Sequence, residues 1–443
     1  MPRPLFQQPA LSLRARFEAG RKLRTRMPRL QQARTPAVDA RDPLKILAAA
    51  NEGRVGGLLP EKYRRMRQST FSFFRGAAAL MAWDLSRLPH CGLTVQLCGD
   101  AHVRNLGAYA APDGRLVFDI NDFDETMPGP WEWDVKRLAT SLVLAGEESG
   151  ETEDRQREAV RAFVASYRTY LREFAQMPIA RLARHLIARN RNEPLLDSIF
   201  RSARRVTPER NFEKLVVFRN GRFCFHDRSP ILEHVPKRVA SSVVRALASY
   251  RETLNASRRR TLDSYHPADV SFKLVGTGSV GTRDYVILLF GNDSKDPLFL
   301  QVKQELPSCY APYLKNAPRT HQGKRVAEGQ QMMQTASDPF LGYTRFDGRD
   351  YLVRQLADHK AGIEPHELTG GTFLAYARLC GECLAKGHAR TGDAAMLAGY
   401  VGASPRLDKA IARFATDYAR QTRADYRRFT AWVRRSRLTA SGS

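Results

Sequence analysis

The spacing of apolar and polar positions changes period several times along the chain, and each change marks an element. Short apolar runs at 93–97 and 116–118 end at polar turns, which predicts two strands that deliver acidic side chains at a sheet edge. Residues 135–146 and 152–174 then carry helical spacing, the second as a long amphipathic helix. Helical pattern continues from 179 to about 260. It is interrupted by Leu215-Val216-Val217-Phe218 and Arg222-Phe223-Cys224-Phe225 around Asn220-Gly221, a dipeptide suited to a tight hairpin turn. Strands are predicted at 284–290, 297–303 and 351–356, and helices at 323–335 and 372–389. Toward the start, 42–51 and 59–66 are short helical candidates, and a helix rich in small residues runs from a Ser69 or Thr70 cap to about residue 88. Residues 1–36 are rich in arginine and broken by Pro2, Pro4, Pro9, Pro28 and Pro36, so they read as a poorly packed basic arm.

This pattern predicts an α+β fold in four parts: a basic flexible arm at 1–40, a large helical part at 41–265, a strand-rich smaller lobe at 266–362, and helices at 363–443 that return to the large lobe. Composition supports a sizeable core, with 43% hydrophobic residues over 443 positions. No apolar run reaches the ~20 residues of a membrane span, and the start shows no stretch of signal-peptide type, so a cytoplasmic protein is expected. The six cysteines are scattered. Cys380-Gly381-Glu382-Cys383 has no second pair at zinc-finger spacing and lies in a helical context, which favours reduced thiols. Lysine and arginine outnumber acids 71 to 46, giving a net charge of +25, and this keeps nucleic acid among the candidate partners. The excess runs through ordinary amphipathic helices and accompanies no recognisable nucleic-acid module, so biased composition explains it more simply.

Within this basic chain one segment is acidic. Residues 97–134 contain Asp100, Asp119, Asp122, Asp124, Glu125 and Asp134, and such oxygens are what a hard divalent cation requires. Asp100 stands five residues before Asn105, and a short hairpin then leads to Asp122. Phosphotransferases use this arrangement: one Asp receives the proton of the acceptor hydroxyl, while the Asn and the second Asp hold Mg²⁺. Arg75, between an aromatic cluster and a Gly-Ala run, is either a buried partner for one of these acids or a phosphate contact. A second informative region places Gly276, Gly278 and Gly281, with Ser279, between two strands. Glycines there let backbone N–H groups approach phosphate without Cβ obstruction.

Gly99-Asp100-x-His102-x-x-Asn105, the strand ending Asn121-Asp122-Phe123-Asp124, and Trp133-Asp134-x-x-Arg137-Leu138 together resemble the catalytic core of aminoglycoside phosphotransferases and related kinase-like enzymes. Cys98 stands where that pattern has a histidine. The resemblance implies a two-lobed protein-kinase-like fold. Because the catalytic loop precedes the glycine loop here, it also implies circular permutation, with the break between the helix ending near His388 and the strand entering Asp100. Asp134 would be the structural aspartate of the pattern. ATP would lie between the lobes, under Gly276, Gly278, Ser279 and Gly281, with Lys303 on its phosphate oxygens. Glu328, or failing it Glu305, would pair with Lys303. Asp122 and Asn105 would hold Mg²⁺, Asp119 or Asp124 a second metal, and His102 would brace the loop that presents Asp100.

The whole chain from roughly 40 to 430 also resembles a bacterial family catalogued as domain of unknown function 2252. The resemblance rests on Phe71-Ser72-Phe73-Phe74-Arg75-Gly76-Ala77, Gln96 to His102, Phe118 to Glu125, Gly129 to Asp134, Gly278 to Arg283, Leu298 to Lys303 and Tyr351 to Leu356. It implies a fold clan and no particular reaction. The resulting expectation is an ATP- and Mg²⁺-dependent phosphotransferase with an unknown hydroxyl acceptor. A nucleotide-binding pseudokinase-like regulator and a metal-dependent phosphohydrolase are the alternatives.

Overall fold

The computed structural model describes residues 11–36, 41–188, 194–274, 276–315, 320–356 and 359–436. Its helical body is built on the helix Trp131–Glu148, which is buried along almost its whole length. The helices Glu153–Gln176, Gly370–Thr391 and Arg406–Arg435 pack around it, each turning an apolar face inward to form one large core. Arg41 fastens the edge of this body, bonding both Asp84 and Asp425 from a buried position.

Among the described residues twelve strands follow one another: β1 Thr94–Leu97, β2 Leu106–Ala110, β3 Leu116–Ile120, β4 Met127–Pro130, β5 Val216–Arg219, β6 Arg222–Phe225, β7 Leu232–His234, β8 His266–Lys273, β9 Asp284–Phe290, β10 Pro297–Gln304, β11 Gly342–Phe346 and β12 Arg349–Gln355. The first four make two antiparallel pairs, β1 with β4 and β2 with β3, set into the helical body. The hairpin β5–β6 turns at Asn220 and Gly221, both with positive φ, as its dipeptide predicts. The last six strands form one antiparallel sheet in the order β11-β12-β10-β9-β8-β7.

Alternation along these strands decides what each sheet face meets. Tyr285, Ile287, Leu289, Leu300 and Val302 point outward into a core shared with Val243 and Tyr250 of the covering helices. On the inner face, Val286, Leu288 and Phe299 pack against the β5–β6 hairpin. Farther along the same inner face the residues become Asp284, Gln301 and Lys303, all buried. A polar surface buried at one end of an otherwise apolar sheet face must be satisfied by something across from it. The acidic loops of the helical body fill that place.

The amino-terminal residues differ from the loose arm expected. Leu13–Arg26 is a helix capped by Ser12, and it lies against the helix Ala394–Val401. Arg24 donates to the carbonyl oxygens of Gly399 and Tyr400, and Arg29 to that of Val401. The arginines therefore serve as a cap for carbonyls at the end of another helix, where cations are favoured. Among the described residues, no helix is long and apolar enough to cross a membrane. The six cysteines are free.

Candidate functional site

Strand β1 enters the helical body and delivers Cys98, Gly99 and Asp100. Gly99 has φ +90°, and a Cβ there would stand 2.2 Å from the carbonyl oxygen of Glu125, so only glycine fits. Asp134 fixes this turn from within: its carboxylate accepts the N–H groups of Cys98 at 2.8 Å and Gly99 at 3.0 Å. His388 lies 3.3 Å from the same carboxylate and is itself bonded to the Tyr167 hydroxyl. On the other side the Tyr310 hydroxyl donates to the Gly99 carbonyl at 2.6 Å.

Asp100 is thereby held in place with one oxygen on the Arg137 guanidinium, 2.6 Å from Nε. Burial raises its carboxyl to about 6 although Arg137 opposes the shift, with Asp122 and Glu125 adding to the rise. Its second oxygen is 3.8 Å from His102 Nε2. Burial, together with Arg75, Arg137 and Arg104, pushes His102 well below its ordinary value, so the ring is neutral. Its Nδ1 is buried without a hydrogen-bond partner among the described residues. Asn105 donates its amide to the Asp100 carbonyl at 3.0 Å, and its own carbonyl accepts the N–H of Asn121 at 2.9 Å. The two loops are therefore tied to each other.

Beyond Asn121 the chain places Asp122 and Asp124 beneath the sheet. Asp124 accepts from both Lys303 Nζ and, at 3.1 Å, Ser279 Oγ. Burial would raise its carboxyl, but Lys303 and Arg354 hold it well below the usual carboxylate range. Burial would likewise lower Lys303, and Asp124, Asp122 and Glu305 raise it instead. Asp122 shifts up, through burial and the neighbouring Asp124, against Lys303, Arg354 and Lys360. One hydrogen-bonded group thus joins a residue of the acidic loop, a residue of the glycine loop and the strand lysine.

The glycine loop is held from outside by the segment ahead of the helical body. Arg65 donates to the Gly276 carbonyl, Arg54 to that of Val280, and the N–H of Val55 to that of Gly281. Gly281 has φ +98°, and a Cβ there would press 3.0 Å from Arg54 Cβ. Gly278 passes close to the Arg75 backbone. Val275 lies outside the described residues. Arg75 itself forms no ion pair among the described residues, and its Nε is buried without a partner. Burial and Arg104 push it down to about 10, against the pull of Asp100, Glu364 and Asp122.

Three expected placements are not met. Glu328 does not pair with Lys303: it is exposed and faces Lys324 one turn back on its own helix, at 3.7 Å. Glu305 is buried near Lys303 without bonding it, and its Oε1 has no partner among the described residues. Asp119 is not in the cleft with Asp122 and Asp124. It is bonded to Lys386 inside the helical body, with the Cys383 thiol at 3.4 Å and the Ile120 N–H at 2.9 Å, so its oxygens are already taken. No three His, Cys, Asp or Glu side chains among the described residues are grouped to hold a metal ion. Two arginines do work that the sequence did not reveal. Arg137 balances Asp100, and Arg325 supports the acidic loop by donating to the carbonyls of Asp124, Thr126 and Leu306. Each is joined to its partner only by folding.

Asp284 gives this cleft a measurable pH signature. Burial, opposed by Lys303, raises its carboxyl to about 7, and Oδ2 accepts from Gln301 at 2.7 Å. The folded chain therefore retains a proton that the unfolded chain releases between about pH 4 and 7. The stability tied to this group falls as pH rises through that window. Asp284→Asn keeps an acceptor for Gln301, so its urea-unfolding free energy is expected to gain on the wild type between about pH 5 and about pH 8. A constant difference across that range would reject this account.

A helical body and an antiparallel sheet, with an acidic double loop meeting a glycine loop and a strand lysine between them, define a mixed α+β protein with a polar cleft. The chain belongs to the bacterial family described as an uncharacterized protein conserved in bacteria, DUF2252, which matches residues 54–432. No curated protein and no solved structure matches it.

Proposed function

We propose that the protein is an ATP- and Mg²⁺-dependent phosphotransferase of permuted, kinase-like fold, acting on a hydroxyl acceptor. The observation that carries the reading is the convergence of Asp124, Ser279 and Lys303, which are remote in sequence and bonded together in the cleft. The order glycine loop, strand, lysine strand, helix and two further strands agrees with a kinase-like nucleotide lobe. Permutation is supported by the Gln96 N–H donating to Thr391 Oγ1 at 3.2 Å, so the helix Gly370–Thr391 ends beside the strand that leads to Asp100.

The residues fit the groups this reading implies. Arg75 is a half-buried cation with no ion pair among the described residues and a buried, unpartnered Nε, and Gly276, Gly278 and Gly281 carry no Cβ that would obstruct phosphate. Asp122 and Asn105 supply oxygen ligands, and Asp122 is raised in a way that a divalent cation would reverse. When bound, Mg-ATP supplies the phosphoryl group that is transferred. Asp100, ionised above about pH 6, would orient the acceptor hydroxyl and take its proton as that oxygen bonds the γ-phosphorus and the bond from phosphorus to the bridging oxygen breaks, with ADP as the leaving group. Arg137 keeps that carboxylate aimed, and Lys303 and Arg75 neutralise phosphate oxygens.

Thermal unfolding with and without Mg-ATP tests the site. At a hundredfold excess over its dissociation constant, ligand should stabilise the wild type by ~2.7 kcal/mol, and the shift should need Mg²⁺. Lys303→Ala and Asp122→Ala should each lose most of it. A wild type that does not shift at saturating Mg-ATP rejects the nucleotide site and leaves the hydrolase reading.

A further inference from the structure

We propose that the outer face of the helix Arg406–Arg435 is a docking surface for the phosphodiester backbone of a nucleic acid duplex, bound without regard to sequence. This helix packs on other helices of the body and supplies none of the cleft residues. The proposal therefore stands whether or not the protein transfers phosphate.

The helix is 30 residues long, a rod of about 45 Å at ~1.5 Å per residue. Its large apolar residues are used in packing. Phe414 and Tyr418 enter the large core, and Tyr426, Phe429 and Trp432 join a smaller one with Tyr63 and Phe73. What is left facing outward is basic. Arg406, Lys409, Arg413, Arg420, Arg427 and Arg434 are all exposed, and steps of three, four and seven residues put them on one side of a helix. They form a row along the rod, its seven-residue steps each covering about 10 Å.

Folding also strips this helix of counter-ions. Nine of its residues are arginine or lysine and three are aspartate. Asp408 is buried against Arg168, and Asp425 against Arg41. Asp417 stays near the row, 2.9 Å from Arg420 and 3.8 Å from Arg413. Arg406, Lys409, Arg427 and Arg434 have no carboxylate within ion-pair distance among the described residues. The neighbouring helix Glu153–Gln176 shows the opposite case: Arg155 faces Glu158 at 2.7 Å, and Arg157 faces Asp154 at 2.6 Å and Glu153 at 3.2 Å. One helix neutralises its own arginines and the other presents them. A row of like charges repels itself, and an extended polyanion laid along it relieves that repulsion while releasing its own counter-ions.

The row selects among polyanions. Cations on the outside of a rod cannot enclose a small phosphate compound, so the partner must be extended. Proteins that track single strands present aromatic rings on which bases stack, and the rings of this helix are taken up by the cores. A bilayer surface takes up a helix by its apolar side, and among the described residues no exposed large hydrophobic residue lies on this one. A duplex backbone needs neither feature. Guanidinium groups meet its phosphates two oxygens at a time, and five of the six cations in the row are arginine.

The test is fluorescence-anisotropy titration of the full chain, without nucleotide or added metal, using labelled DNA and RNA duplexes longer than the helix over a range of salt concentrations. Six cations on the DNA backbone should give a log–log salt slope of about −5. Arg427→Gln combined with Arg434→Gln should weaken binding by about tenfold or more and reduce that slope by about 2. Arg155→Gln combined with Arg157→Gln removes the same net charge and should keep the slope of the wild type. Unfolding midpoints report that both variants are folded. Equal affinity for the two duplexes would support their shared backbone as the ligand, and tighter binding of one would support that nucleic acid as the occupant. The proposal is overturned if neither duplex binds the wild type. It is also overturned if the Arg155 and Arg157 pair weakens binding as much as the row pair, since binding would then follow net charge alone. Binding of phosphatidylglycerol vesicles in place of the duplexes would overturn it in favour of a lipid surface. Because no nucleotide is present, failure here is separate from failure of the Mg-ATP shift.

Discussion

Lys386→Met is expected to lower the free energy of unfolding by about 3–5 kcal/mol, the range for removing one member of a buried ion pair. The Lys386 side chain is fully buried and that of Asp119 is 3% exposed. In the variant, the Ile120 N–H and the Cys383 thiol would remain as partners of the Asp119 carboxylate, and neither carries charge. Adding Asp119→Leu removes the stranded charge, so the double variant should recover most of the loss. Urea unfolding of the single and double variants checks both statements. A single variant within ~1 kcal/mol of wild type would show that this pair is not what holds β3 to the helix Gly370–Thr391.

Asp100→Asn is expected to cut turnover by ~10²–10⁴, the usual contribution of a positioned general base. The substitution keeps an oxygen for Arg137 and removes the ability to accept a proton, so folding and Mg-ATP binding should survive. The wild type should also lose activity as pH falls through about 6, because the carboxyl is then protonated. Steady-state kinetics on an identified acceptor, with the thermal shift by Mg-ATP as the binding control, provides the measurement. An Asp100→Asn protein with undiminished turnover would remove Asp100 from the reaction.

Local pattern made some of this architecture legible. The hairpin turn at Asn220-Gly221, the strands β9 and β10 and the long helices follow from periodicity and turn chemistry, which act over a few residues. Both acidic loops were also visible, because their residues lie close together in the chain. Which acid faces the cleft was not legible. Asp119 lies within β3, and a strand sends neighbouring side chains to opposite faces; its partner, Lys386, is 267 residues away. Asp122 and Asp124 come after the strand has ended. Glu328 was misjudged for a similar reason, since the helix Gln322–Met333 has several faces and the spacing of one Glu does not say which of them meets the sheet. Arg325, three residues earlier, is the side chain that reaches the acidic loop. The amino-terminal arginines looked solvated because the carbonyls they cap belong to the opposite end of the chain.

The anchoring of the glycine loop bears on how the molecule can be divided. Arg54 and Val280 are 226 residues apart, yet one holds the other's carbonyl. A fragment starting at Leu232 would contain every strand of the six-stranded sheet and none of the donors that fix Gly276, Val280 and Gly281. During synthesis the clamp emerges long before the loop it grips. The sheet is therefore no detachable module, and what the cleft does answers to the first segment of the chain as much as to its own strands.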